Sequence, residues 1–183
     1  MCGQAVLRSA FRLRSTALLA LLFAASAANG EGVGMGFHLY PKLMDAMSTS
    51  EGPIYYEEDR NPVYILSRIV VEGQSADDWV EAVETIATGR KYSQKNVAAW
   101  YESFRKQGDT NCPSEWQVLA QDKKTITFER RSPSCGEFGA QHALYRVIYG
   151  RHDVFTIIAT RKGDMDTDMR QGWLAVLDSA VVQ

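Results

Sequence analysis

The sequence predicts an α+β fold: an antiparallel sheet of about five strands, two helices inserted after the first strand, and a C-terminal helix packed on the sheet. Three observations carry this expectation. Apolar stretches of strand length follow one another late in the chain with tight turns between them, the signature of antiparallel neighbours. Two segments between Ser75 and Gly108 repeat apolar residues at helical spacing. A third amphipathic segment starts near Asp166.

The first 28 residues read as a secretory leader and not as part of the fold. Arg8, Arg12 and Arg14, with no acid among them, precede a greasy run that begins at Thr16, and Ala25-Ser26-Ala27 is a small-residue cleavage site. Cutting after Ala28 is a close alternative. The run is shorter than the about 20 apolar residues a membrane-spanning helix needs, and no later segment is apolar enough either. Residues 29–62 read as an irregular lead: Gly30, Gly32, Gly34 and Gly36 alternate, Ser48 to Pro53 is loop-like, and Tyr55 to Asp59 is an aromatic and acidic cluster. A single domain is expected over 63–183.

Within that domain, Val63 to Val71 is β-branched and apolar enough for a central strand covered on both faces. Ser75 then reads as the cap of a helix with Asp77 and Asp78 in its first turn, Trp79, Val83, Ile86 and Ala87 on its buried side, and Gly89 at its end. Ser93 reads as the cap of a second helix whose stripe is Val97, Trp100, Tyr101 and Phe104, ended by Gly108. Trp116 to Gln121 and Thr125 to Arg130 alternate as a hairpin turned at Asp122-Lys123-Lys124, with Val118 opposite Phe128 and Ala120 opposite Ile126. Leu144 to Tyr149 and Val154 to Thr160 make another hairpin around Gly150-Arg151-His152-Asp153. Met169, Trp173, Val176, Leu177 and Ala180 form the apolar side of the last helix.

Composition narrows the function. The chain of 183 residues holds 20 basic and 22 acidic residues; three arginines leave with the leader, so 17 stand against 22, a net charge of −5. That disfavours nonspecific binding to nucleic acid or anionic lipid. The four tryptophans, eight tyrosines and seven phenylalanines of the chain argue against disorder for most of it. After the leader only Cys112 and Cys135 remain. They flank the first hairpin at nearly equal distances from Lys123, so antiparallel pairing brings them together as a structural disulfide. Neither a C-x-x-C motif nor a histidine at ligand spacing stands near them.

No cofactor or metal site is marked. His38, His142 and His152 lack a third ligand at metal spacing, even with His142 and His152 set to face each other across a hairpin. Asp164, Asp166 and Asp168 have calcium-loop spacing, but Met169 and Ala175 stand where such a loop needs glycine and glutamate, so they read as helix-start acids. Gly-x-Ser-x-Gly, Ser-x-x-Lys, G-x-G-x-x-G and P-loop patterns are absent. On the face of the sheet expected to be wet, Glu129, Arg131, His142 and Arg146 cluster with Gln117 and Gln141 as a candidate binding patch for an anionic ligand or an envelope or extracellular protein partner.

Asn111 to Trp116, Gln141 to Gly150 and Trp173 to Ala175 resemble stretches of small secreted proteins of Gram-negative bacteria, over roughly Trp79 to Val182. The element order is similar to that of sheet-and-helix domains of the PsbP and Mog1 kind. That resemblance implies a non-catalytic accessory role and names no ligand. The expected function is thus an exported binding or accessory protein of the periplasm or secretome. Two alternatives stand beside it: a small secreted hydrolase with His142 as base and Glu129 as its orienter, and a secreted effector or envelope-stress protein acting through Tyr55 to Asp59.

Overall fold

Strand pairing organises this chain more than local pattern does. The computed structural model describes residues 31–48, 55–73, 78–136 and 139–183. In order these form β1 (Val33–Gly34), a 3₁₀ turn at Phe37–Leu39, α1 (Pro41–Ser48), β2 (Tyr55–Arg60), β3 (Tyr64–Gly73), β4 (Trp79–Gly89), a 3₁₀ turn at Arg90–Tyr92, α2 (Val97–Asn111), β5 (Glu115–Gln121), β6 (Thr125–Ser132), β7 (Gln141–Tyr149), β8 (Asp153–Lys162), α3 (Thr167–Asp178) and β9 (Val181–Val182). Seven strands form one sheet in the order β2-β3-β4-β8-β7-β6-β5, and every neighbouring pair is antiparallel. β1 and β9 pair separately as a two-stranded ribbon. The sheet is two meanders, β2-β3-β4 and β5-β6-β7-β8, linked by α2 and joined where β4 meets β8.

The chain is therefore α+β, but the expectation of about five strands with two helices after the first is corrected. Trp79 to Gly89 is a strand, bonded along its length to β3 on one side and β8 on the other. Its sequence satisfies both periods. Helical spacing selects Trp79, Val83, Ile86 and Ala87, yet alternation puts Glu81, Val83, Thr85 and Ala87 on one face and Ala82, Glu84 and Ile86 on the other. The many β-branched side chains and two waiting partner strands decide for the strand. The expected cap Ser75 and the first-turn acid Asp77 lie outside the described residues.

The lead over 29–62 is not irregular throughout. Its described part holds β1, α1 and β2. β2 is charged and sits at the sheet edge, where it pairs residue for residue with β3 from Tyr55–Val70 to Arg60–Ile65. A charged edge strand carries no apolar alternation, which is why the pattern is silent there. α1 lays Leu43 and Ala46 into the core.

α2 begins three residues later than its expected cap. Asn96, not Ser93, accepts the Ala99 N–H at 2.9 Å. The helix passes through Gly108 and runs to Asn111. In the first hairpin Val118 faces Phe128 as the alternation requires, but a bulge at Leu119 sets Ala120 opposite Thr127 and Gln121 opposite Ile126. α3 begins where Asp166 accepts the Met169 N–H at 2.8 Å.

Helices lie on both faces of the sheet. On one face α1 and α3 cover Ile69, Val83, Leu144, Phe155, Ile157 and Ala159, with Trp173 fully buried among them. On the other, Val97, Trp100, Tyr101 and Phe104 of α2 pack on Ile126, Phe128, Tyr145 and Val147. Phe128 and Tyr145 stack at 4.6 Å between ring centres. A disulfide joins Cys112, the C-cap of α2, to Cys135 after β6, with Cα atoms 5.1 Å apart and a sequence separation of 23. A loop of that length is worth about 3 kcal/mol, mostly by restricting the unfolded chain.

Candidate functional site

Two sets of polar residues stand out, and they differ in how their charges are matched. The first lies under α1 and α3, on the face of the sheet expected to be wet. Strand register places Glu72, Glu81, Arg161, His142, Arg131 and Glu115 on one rung that crosses six strands. Helices close over the middle of this rung, so Glu81, His142 and Glu129 are buried. The expectation of a solvated patch at Glu129 and His142 is corrected on that ground. The physical reason is that alternation identifies a polar face, while only packing says what covers it.

Glu129 accepts from Arg170 at 2.6 Å, from Arg131 at 2.7 Å and from His142 Nε2 at 2.6 Å. Burial works to raise its pKa, but the guanidinium groups of Arg170 and Arg131 and the imidazole outweigh burial and hold the carboxyl down at about 2. His142 Nδ1 in turn accepts the Met165 N–H at 3.1 Å. Both ring nitrogens are engaged, so the imidazole is neutral with its proton on Nε2. Burial lowers its pKa, against the pull of Glu129. Glu129 and His142 do meet, as the base-and-orienter alternative requires, but neither nitrogen is open to a substrate.

The other patch residues scatter. Arg131 is half-exposed on its far side. Arg146 sits four residues further along β7 and binds Thr127 Oγ1 and Asp178, each at 2.9 Å. Gln117 is exposed on β5, and Gln141 starts β7. His142 and His152 stand at opposite ends of β7 and do not face each other; His38 is exposed. Among the described residues no group of three histidine, cysteine, aspartate or glutamate side chains is placed to hold a metal ion.

No local pattern marks Glu81. It is fully buried, and it accepts from Tyr40 Oη and Trp173 Nε1 at 2.7 Å each, from Lys42 at 2.6 Å and from Arg161 at 3.3 Å. Lys42 and Arg161 also bind Glu72. Two acids against two bases tie α1 and α3 to β3, β4 and β8. Tyr40 is buried here, and burial with the Glu81 bond raises its pKa. The side chains of Tyr55 and Tyr56 lie outside the described residues. Glu57 and Glu58 are paired with Arg68 and Arg60.

The second set is a cleft of about 790 Å³ at the opposite end of the sheet. Antiparallel order brings three connections together there: the β4–α2 segment, the β5–β6 turn and the β7–β8 turn. Their backbones are stitched to one another. Arg90 N donates to His152 O at 2.9 Å, Tyr149 N to Lys124 O at 2.8 Å, and Gly150 N to Asp153 O at 2.9 Å. Glu31 clamps the β7–β8 turn by accepting the N–H groups of Arg151, His152 and Asp153 at 2.7 to 3.0 Å.

On this frame stand Arg90, Lys95, Lys123, Lys124 and Arg151, all exposed. None forms an ion pair among the described residues. Arg90 reaches Gly150 O at 3.2 Å and lies over the Tyr149 ring at 5.3 Å. The nearby acids are engaged elsewhere. Glu31 is bound to backbone, and its three N–H bonds outweigh burial and lower its pKa. Asp122 caps its own turn through Lys124 N and Thr125 N, which lowers its pKa too. Asp153 is buried and pushed up, by burial first and then by Glu31. The fold thus gathers five exposed cations at one end while acids and bases are paired with one another at the other.

Sequence reasoning missed this cleft, although both of its turns were legible. What it needed was the strand order that puts the turns side by side. Compared with known proteins, the chain matches no family model and no curated sequence.

Proposed function

We propose that this chain is an exported, disulfide-braced binding or accessory protein of the bacterial envelope or secretome, acting without catalysis and binding through its cationic cleft. The observation that carries the reading is the contrast between the two polar sets. The acid and imidazole that would serve a hydrolase are engaged on every ring nitrogen and by two arginines, in a buried tether between sheet and helix. The exposed cations of the cleft form no ion pair with an acid among the described residues. Export is supported by the leader pattern of residues 1–28, the Cys112–Cys135 bridge, and the absence of any described helix long and apolar enough to cross a membrane.

Fractionation of cells that express the full chain tests the export half. Intact mass of the non-cytosolic protein is expected to give a new N-terminus near Ala28 or Asn29 and a chain two hydrogens lighter than the dithiol. A full-length, reduced protein confined to the cytosol would overturn it. Turnover of chromogenic ester, phosphate or glycoside substrates that His142→Gln abolishes, with the fold intact, would replace the binding reading by the hydrolase.

A further inference from the structure

The cleft has the chemistry of a site for a multiply charged oxyanion, and we propose that its ligand is a phosphate-bearing group with more than one negative charge. This deepens the binding reading above and rests on it. Two arginines supply planar donor forks, and three lysines supply mobile point charges. They come from three separate connections, so they surround the space from different sides. Their backbones are held by the cross-connection hydrogen bonds and by the Glu31 clamp, which orders the charges before a ligand arrives.

α2 adds to the same field. Its N-cap Asn96 lines the cleft beside Lys95, which brings the positive end of a 15-residue helix to the rim. The floor is the side of Ile148, Tyr149 and Val182, and the Tyr149 hydroxyl is already engaged by the Gln94 and Asn96 carbonyls at 3.1 Å. The floor therefore offers shape while the rim offers charge. A cleft of about 790 Å³ is larger than one phosphate needs, and its five cations, against the one Glu31 carboxylate that also lines it, still exceed what one phosphate neutralises. Two or three linked phosphate groups match both measures.

The source of such a group is either a free polyphosphate or a phosphorylated lipid headgroup, and the test separates them. Calorimetric titration of the purified protein with inorganic tripolyphosphate is expected to show one site, tighter than for inorganic phosphate. The affinity should fall several-fold between about 50 and 300 mM salt, as exposed charges are screened. K123A/K124A/R151A should bind at least about tenfold more weakly with an unchanged melting curve, since all three side chains are exposed. Lys106→Ala, on the outer side of α2, should bind as the native protein does.

In the second arm, the protein is sedimented with vesicles of phosphatidylcholine containing about one-fifth phosphatidic acid. Vesicle binding that the triple variant loses, without tripolyphosphate binding, assigns the headgroup as the source; tripolyphosphate binding alone assigns a free ligand; both together assign the phosphate group in either setting. Binding in neither arm overturns the proposal, as does binding that the triple variant keeps or that Lys106→Ala weakens equally. Each of those results leaves the export and non-catalysis tests standing on their own.

Discussion

Glu129 concentrates the physics of this fold in one side chain. A carboxylate taken out of water is costly, and this one is retained because Arg170, Arg131 and His142 satisfy it together. Removing it strands the buried His142 and leaves Arg170 without the acid that draws α3 onto β6. Glu129→Ala is expected to cost about 3–5 kcal/mol in urea denaturation, the range for breaking a buried charged network by one partner. Arg131→Ala, whose side chain is half-exposed, should cost under about 1 kcal/mol. Equal losses for the two would contradict the burial argument.

Elements show where close approach overrides propensity. Gly108 lies inside α2, where alanine would ordinarily gain about 1 kcal/mol of helix propensity. A Cβ there would stand 2.7 Å from the Trp116 ring. That ring has nowhere to go: its Nε1 donates to Asp109 at 2.6 Å, Arg130 lies over it at 5.1 Å, and Phe104 meets it edge-on. Gly108→Ala is therefore expected to destabilise by about 1–3 kcal/mol, as overpacking does. A rise in melting temperature would show that α2 slides freely on β5. Gly108 stands where helix-stop reasoning expects an end, but its role is to let α2 pass the hairpin. Ser93 loses the cap to Asn96 because it already closes the preceding 3₁₀ turn at Arg90–Tyr92, its N–H donating to Arg90 O at 3.2 Å.

Across the whole molecule, the buried network sets the response to acid. Glu129 has its pKa depressed from 4.5 to about 2, so in that window the unfolded chain binds the proton and the folded one does not. Its stabilisation, about 3 kcal/mol by linkage, is present above pH 4.5 and is lost as pH falls toward 2. His142 acts with the same sign. Burial keeps it neutral, so below its ordinary 6.5 the unfolded chain again gains the proton first. The groups facing it are Glu129, Arg131, Asp164 and the Met165 amide. Denaturation midpoints are expected to fall steadily from pH 7 to 3. His142→Gln should flatten the upper part of that fall, and Glu129→Gln the lower. A stability maximum on the acid side would contradict both assignments.

Local chemistry in the sequence determined a good deal. The hairpin of β7 and β8, the aromatic stripe of α2 and the start of α3 at Asp166 were readable because their patterns admit one period or one cap. The Cys112–Cys135 pairing was readable because a hairpin fixes the distance between its own flanks. Tertiary structure decided the rest. Trp79 to Gly89 fits a helix and a strand equally by period, and only the flanking β3 and β8 chose between them. The rung at Glu81, Arg161 and His142 and the cationic cleft at the other end both depend on strand order, which joins residues far apart in sequence through pairings that no local pattern encodes.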